Sequence, residues 1–119
     1  METKDILKYF FDLQKQFQES IGIILPTCMN DIISKENVEN IKDQLFALVD
    51  EVMEASREIP WKAWKKNQNF HVHEFRMELI DILHFLINTF ILVGMEVSDV
   101  ENYFLSKHAT NIKRQEDGY

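Results

Sequence analysis

The chain has 119 residues, a length that suits one compact domain, spanning 1–119, with a single hydrophobic core. Acidic residues outnumber basic ones 20 to 13, so the net charge of -7 disfavours nucleic acid as a partner. Cys28 stands alone, which excludes an intrachain disulfide and a cysteine-based zinc cluster and leads us to expect a reducing, cytoplasmic setting. The N-terminus has no signal-peptide core, and the longest apolar stretch, 79–95, is too short and polar for a membrane span.

Glycine and proline are scarce, with 3 and 2 residues, which disfavours a turn-rich β fold and favours long helices. Apolar residues recur at helical spacing in four segments, and we predict helices over 3–20, 37–58, 71–93 and 98–114. The connector 21–34 is expected to hold a short helical turn. Gly94 is predicted to end the third helix, and Ser98 with Glu101 to start the fourth as a capping box. The expected architecture is all-α, an antiparallel bundle of four helices.

Two short acidic motifs, Glu51-Val-Met-Glu54 and Glu78-Leu-Ile-Asp81, each place two carboxylates one helical turn apart in an apolar segment. Buried carboxylates are costly unless they are protonated or bind cations. If the two motifs face each other, their oxygens favour Mg²⁺, or Mn²⁺ as a substitute, over zinc. Such a site points to phosphate chemistry on a nucleotide, with a carboxylate orienting the attacking water. The alternative is that these acids are solvated on amphipathic helices.

A basic stripe lies near the C-terminus, where Lys107, Asn111 and Arg114 project from one face of the fourth helix. These side chains suit a triphosphate, because arginine offers a planar fork and lysine a point charge. The alternative is a solvated helix end, where cations complement the helix dipole.

A basic and aromatic run, Trp61-Lys62-Ala-Trp-Lys65, lies between the acidic motifs. It is suited to cap a base and grip phosphate, or alternatively only to cover the bundle. On the first helix, Gln14 and Gln18 share a face, and their amides carry the donors and acceptors needed to recognise the edge of a base.

The order of these motifs resembles the all-α dUTPases, within the all-α NTP pyrophosphatases. The segment 78–95 and the ending Arg114-Gln-x-x-Gly-Tyr119 are similar to the dCTPase/dUTPase enzymes of T-even bacteriophages. The resemblance covers about residues 45–119 and, loosely, the first helix. The paired acidic motifs also mark the wider group of MazG-like nucleotide pyrophosphohydrolases.

The resemblance implies Mg²⁺-dependent hydrolysis of dUTP, with dCTP as a second candidate substrate, to the nucleoside monophosphate and pyrophosphate. It implies a homodimer with composite sites, with a tetramer as the alternative assembly. Metal binding and catalysis are assigned to four acids: Glu51, Glu54, Glu78 and Asp81. Phosphate contacts are assigned to Lys107, Asn111, Arg114 and Tyr119, and to Lys62 or Lys65. Base contacts are assigned to Gln14, Gln18 and Trp61.

Base preference stays open in the sequence. The insert between the acidic motifs, 55–77, is shorter than in many all-α dUTPases, and Gln14-Lys-Gln-Phe-Gln18 stands where that family often has Gln-x-x-Leu-Asn. One alternative is a MazG-like housecleaning pyrophosphohydrolase with another base preference. A second is a non-enzymatic helical interaction module with surface acids. A carboxylate di-iron bundle would need two Glu-x-x-His motifs, and the chain has none.

Overall fold

The computed structural model describes the backbone of residues 3–118 and the side chains of residues 6–118. This part of the chain forms helices and no strand: α1 (Thr3–Ser20), α2 (Met29–Ile32), α3 (Lys35–Ser56), α4 (Val72–Leu92) and α5 (Val97–Glu116). The all-α prediction is confirmed, and the ends of the four long helices differ from the predicted ends by at most two residues. Tyr119, which was predicted to bind phosphate, lies outside the described residues.

The helices α3 and α4 form an antiparallel hairpin. At one end, the side-chain amide of Asn37 donates to the carbonyls of Ile32 and Leu92, both over 2.9 Å. At the other end, the backbone N–H of His71 donates to the carbonyl of Glu58 over 2.9 Å. Because the start of α3 meets the end of α4 and the reverse, the faces of the two helices are in contact along their length.

The buried core lies where α1 crosses α4. Phe11 on α1 packs with Ile87 and Ile91 on α4, and all three side chains are buried. Partly buried apolar side chains surround them: Leu7, Leu25, Phe90, Val97 and Val100. Since α4 packs against both α1 and α3, it is the central helix, as its nearly continuous apolar sequence predicts.

The turn between α4 and α5 is built around Gly94, which has a φ of 77°. The N–H of Gly94 donates to the carbonyl of Ile91, and the N–H of Met95 donates to the carbonyl of Phe90, each over 3.0 Å. This is the Schellman arrangement, which favours glycine at this position. The capping box predicted at Ser98 and Glu101 is wrong. The box is formed by Glu96 and Asp99, whose carboxylate accepts the N–H of Glu96 over 2.8 Å. Asp99 takes the place of the glutamate that usually completes such a box, three residues after the extended N-cap residue Glu96. Helix α5 therefore starts at Val97, one residue earlier than predicted.

The last helix, α5, packs against α1 and is turned by 108° from α4. None of its described side chains is buried, and Tyr103, Phe104 and Leu105 are all more than half exposed. The accessible surface of the chain is 9065 Å², whereas a compact monomer of this mass exposes about 6,800 Å². The radius of gyration is 17.6 Å, against about 13.5 Å for a compact domain of this length. The single chain therefore leaves an unusually large surface uncovered.

Across the described residues, no individual helix combines the length and apolar character needed to cross a membrane. The bent pair α4 and α5 meets that test by length and composition taken together.

Candidate active site

Three of the four predicted acids lie together between α3 and α4. Glu51 and Glu54 are one turn apart on α3, Glu78 lies opposite on α4, and all three are partly buried. One carboxylate oxygen from each lies within 4.8 Å of the others. We call these three residues the acidic trio. Asp81 follows Glu78 by one turn but is exposed and is not part of this close group.

The pKa of Glu51 is raised from 4.5 to about 8. The first cause is a hydrogen bond with Glu78, followed by burial and by the negative charges of Glu54 and Asp81. Among the described residues, no donor reaches the buried Oε2 atoms of Glu51 and Glu78. Two ionised carboxylates are acceptors only, so a proton must be shared between them to form that bond. Below about pH 8, the acidic trio therefore holds a proton where no cation balances its charge.

The donor set of the trio fits a hard divalent cation. Its ligands are all carboxylate oxygens, two of them buried without a donor, and such oxygens suit Mg²⁺ or Mn²⁺. A cation at this place would neutralise the repulsion that raises the pKa of Glu51, so cation binding and proton release are coupled.

A chain of side-chain amides crosses the bundle beyond the acids. The Nε2 of Gln14 donates to Oδ1 of Asn88 over 2.8 Å, and the Nδ2 of Asn88 donates to Oε1 of Gln44 over 3.0 Å. Gln44 precedes Glu51 by seven residues and Asn88 follows Asp81 by seven. At 1.5 Å per residue, the amides lie about 10 Å along the helices from the acids.

This amide chain was only partly visible in the sequence. Asn88 falls on the polar side of α4 but had no assigned role, and Gln44 was missed. The seven-residue spacing from Glu51 is the signal that places Gln44 on the face of α3 that meets α4.

The two glutamines of α1 share a face, as their spacing predicts, and the structure shows that this face is buried. Gln14 is 9% exposed and reaches a cavity of about 220 Å³. The other residues that line it are mostly apolar: Phe10, Leu13, Ile80, Leu83, His84 and Ile87. Gln18 is fully buried, and neither its Nε2 nor its Oε1 has a partner among the described residues. A buried amide without partners is costly, so this position favours the approach of a water or a polar ligand group.

The basic and aromatic run lies in a different place. Trp61, Lys62 and Lys65 line a cavity of about 470 Å³ together with Arg57 and His71. Gln68 holds this loop closed: its Oε1 accepts the N–H of Lys62 over 3.1 Å and its Nε2 donates to the carbonyl of Lys65 over 2.9 Å. The acidic trio does not line this cavity. In the single chain, this cavity and the acidic trio therefore have no residue in common.

The basic stripe of α5 is also separate from the acids. Lys107, Asn111 and Arg114 are exposed. They lie on a helix that packs against α1, whereas the acidic trio lies between α3 and α4. The helical spacing places the three side chains on one face of α5, as predicted. Within one chain, however, α5 does not bring that face to the trio.

A family model described as dUTPase matches residues 6–97. The chain belongs to the dUTPase family. It is accordingly a nucleoside triphosphate pyrophosphohydrolase, and the non-enzymatic alternative is set aside. The match includes α1 to α4 almost completely and ends at the first residue of α5.

Curated relatives are consistent with this family. A dCTP pyrophosphatase of Enterobacteria phage T4 is 26% identical, over 99% of this chain and 85% of the relative. A dCTP pyrophosphatase of Enterobacteria phage LZ5 is 29% identical, over 100% of this chain and 86% of the relative. A DNA replication protein of phage T4 is 26% identical over 94% of this chain but only 36% of its own length. No solved structure matches the chain.

Proposed function

We propose that this enzyme is a Mg²⁺-dependent dUTP diphosphatase that converts dUTP to dUMP and pyrophosphate and also accepts dCTP. The observation that carries the proposal is the acidic trio, in which three partly buried carboxylates converge within 4.8 Å and raise the pKa of Glu51 to about 8. The family name supports dUTP, and the names of the phage relatives support dCTP. The whole reaction is proposed to take place in one all-α domain, in the cytoplasm of the host cell.

In this proposal Glu51, Glu54 and Glu78 hold the cation, and Asp81 lies at its open side because it is exposed one turn further along α4. Bound Mg²⁺ would supply neutralisation of the negative charge that develops on the phosphate oxygens. The carboxylates orient a water in line with the phosphorus and accept its proton. Since they are partly buried, they act in surroundings where electrostatic interactions are stronger than in bulk water.

The base is proposed to bind near Gln14. The adjacent cavity of about 220 Å³ is smaller than the roughly 300–1,000 Å³ typical of whole-ligand sites, so it suits a single ring. Its α4 lining residues, Ile80 to Ile87, follow Glu78 by two to nine positions. Gln18 is the second proposed base contact, because its buried amide lacks partners. Trp61 is the proposed stacking contact.

A second copy of the chain is proposed to complete the site. The surface excess of about 2,300 Å² per chain would correspond to an obligate interface, which typically buries 2,000–5,000 Å² in total. In a dimer, Lys107, Asn111 and Arg114 of one copy would contact the phosphates bound by the other, together with Tyr119 and with Lys62 or Lys65. This arrangement would explain why the basic stripe and the trio do not meet within one chain.

Mixing two inactive variants tests the composite site. A Glu78→Gln protein and a Lys107→Gln protein should each be inactive, whereas an exchanged mixture should recover about a quarter of the sites, because half of the dimers combine both copies. No recovery after verified subunit exchange would contradict the shared site. Light scattering of the parent protein distinguishes a dimer from a tetramer, and a monomer would contradict the assembly.

Turnover and cation binding test the proposed function itself. Glu51→Gln, Glu54→Gln and Asp81→Asn should abolish pyrophosphate release, and the first two should weaken Mg²⁺ binding in calorimetry. Asp50→Asn is the matched control, since Asp50 is exposed beside Glu51 and lies outside the trio. Full turnover in Glu51→Gln would contradict the proposal. Turnover of a purine or a modified nucleotide in preference to dUTP and dCTP would favour the MazG-like housecleaning alternative.

A further inference from the structure

Gln14, Asn88 and Gln44 form what we call the amide relay, one side chain from each of α1, α4 and α3. The two hydrogen bonds are 2.8 Å and 3.0 Å long and run in one direction, from Gln14 through Asn88 to Gln44. Asn88 is 3% exposed and Gln14 is 9% exposed. Each buried amide that donates on one side accepts on the other, so the orientation of any member sets the orientation of the next.

The amide relay has two self-consistent directions. If all three amides rotate by 180°, Gln44 donates to Asn88 and Asn88 donates to Gln14, and the two hydrogen bonds are kept. The nitrogen and oxygen of an amide are nearly equal in size, so packing does not distinguish the two directions. The direction is therefore decided by the groups that meet the two ends of the relay.

The Gln14 end of the relay lines the apolar cavity in which the base is proposed to bind. Cytosine and uracil have nearly the same shape but opposite hydrogen-bonding groups at two adjacent positions. Cytosine offers an acceptor at N3 and an amino donor at C4, whereas uracil offers a donor at N3 and a carbonyl acceptor at C4. An amide in one orientation therefore complements one base, and the same amide rotated by 180° complements the other.

We propose that Asn88 and Gln44 are positioning residues that determine which pyrimidine the enzyme accepts. In one direction of the relay, the Gln14 amide is oriented to hydrogen-bond cytosine. In the reversed direction, it is oriented to hydrogen-bond uracil. A reversible relay then allows one site to hydrolyse both dCTP and dUTP. This inference rests on the proposed function, because it requires the base to lie beside Gln14.

Two substitutions at Gln44 enforce opposite directions. In Gln44→Glu the carboxylate only accepts, so Asn88 must donate to it and the relay keeps its present direction. In Gln44→Lys the ammonium only donates, so the relay reverses. We expect the ratio of kcat/KM for dCTP to kcat/KM for dUTP to move in opposite directions in the two variants. The difference between them should be about 10-fold, the effect of gaining one hydrogen bond and losing another.

The ratio isolates base recognition, because both substrates carry the same triphosphate and meet the same folded protein. Lys42→Gln and Asp43→Asn are the charge controls, since both residues are exposed on α3 beside Gln44. They change the net charge by the same amounts as the test variants, and we expect an unchanged ratio. A shift in the same direction for both Gln44 variants, or no shift in either, would overturn the inference.

The unsubstituted protein offers a second measurement if the lysine variant does not fold. The side-chain amide resonances of Asn88 and Gln44 should change differently when dCMP or dUMP is added, although neither residue is proposed to touch the base. Identical spectra with the two bound nucleotides would overturn the inference. If the enzyme hydrolyses neither dCTP nor dUTP, the proposed function fails and the inference falls with it. An active enzyme with unchanged ratios overturns the inference alone.

Discussion

Replacing Glu78 by glutamine separates the charge repulsion within the acidic trio from the role of the trio in binding a cation. The substitution keeps the side-chain shape but removes one charge within 4.8 Å of carboxylate oxygens of Glu51 and Glu54. Two unit charges at this distance repel by about 1 to 3.5 kcal/mol for an effective dielectric constant between 80 and 20. Above pH 8 Glu51 is ionised as well. We therefore expect the metal-free variant to be about 1–3 kcal/mol more stable than the parent at pH 9.

Urea unfolding followed by circular dichroism at pH 9 measures this difference, in chelator and again in excess Mg²⁺. Thermal unfolding should show the same order, with about 3–6 °C for each kcal/mol in a domain of this size. Excess Mg²⁺ should stabilise the parent by mass action and stabilise Glu78→Gln much less, because the variant has lost a ligand. The control Asp50→Asn should differ from the parent by no more than about 0.5 kcal/mol in either condition.

Two results would contradict this role of Glu78. In the first, Glu78→Gln unfolds at lower urea than the parent at pH 9 in chelator, which would mean that Glu78 stabilises the metal-free fold. In the second, Mg²⁺ stabilises both proteins equally, which would mean that the trio is not where the cation binds.

Three further predictions concern stability. Because folding raises the pKa of Glu51 from 4.5 to about 8, its contribution to stability is complete below pH 4.5 and is lost as the pH rises through 8. The urea midpoint of the metal-free protein should thus fall from pH 5 to pH 9, and a midpoint that rises would contradict the assignment. Asn37→Ala removes two hydrogen bonds of 2.9 Å from buried positions and should lower the free energy of unfolding by about 2 kcal/mol in urea titrations; no loss would show that those carbonyls find other donors. Gly94→Ala should lower the melting temperature more than Gly22→Ala, because both have positive φ but only the Cβ at Gly94 meets Ile32, at 2.6 Å. Equal losses would mean that Ile32 moves aside freely.

The long helices were predictable because their apolar residues repeat at helical spacing over about twenty residues and because Pro26, Pro60 and Gly94 interrupt that pattern. The same spacing placed Glu51 with Glu54 on one face. It could not establish that this face meets Glu78, since that depends on the antiparallel pairing of α3 with α4. The contacts made by Asn37 at one end of the hairpin and by His71 at the other establish that pairing.

Other parts of the site depend on tertiary contacts that local patterns do not encode. The loop carrying Trp61 closes on itself through Gln68, so its cations lie in a separate cavity. The start of α5 was misplaced because Ser98 and Glu101 match the usual capping letters, whereas Glu96 and Asp99 form the box. The burial of Gln18 was not predictable either, because a glutamine on a helix face is ordinarily exposed.

The proposed hydrolysis of dUTP and dCTP to monophosphates is best tested by the products formed from each deoxynucleoside triphosphate. The purified protein should be incubated with dUTP, dCTP, dATP, dGTP and dTTP in turn, in Mg²⁺ and in chelator, and the products separated by anion-exchange chromatography. We predict dUMP and dCMP with an equal amount of pyrophosphate in the presence of Mg²⁺ and no product in chelator. Release of a diphosphate with inorganic phosphate, hydrolysis that persists in chelator, or no hydrolysis of either pyrimidine nucleotide would contradict this prediction.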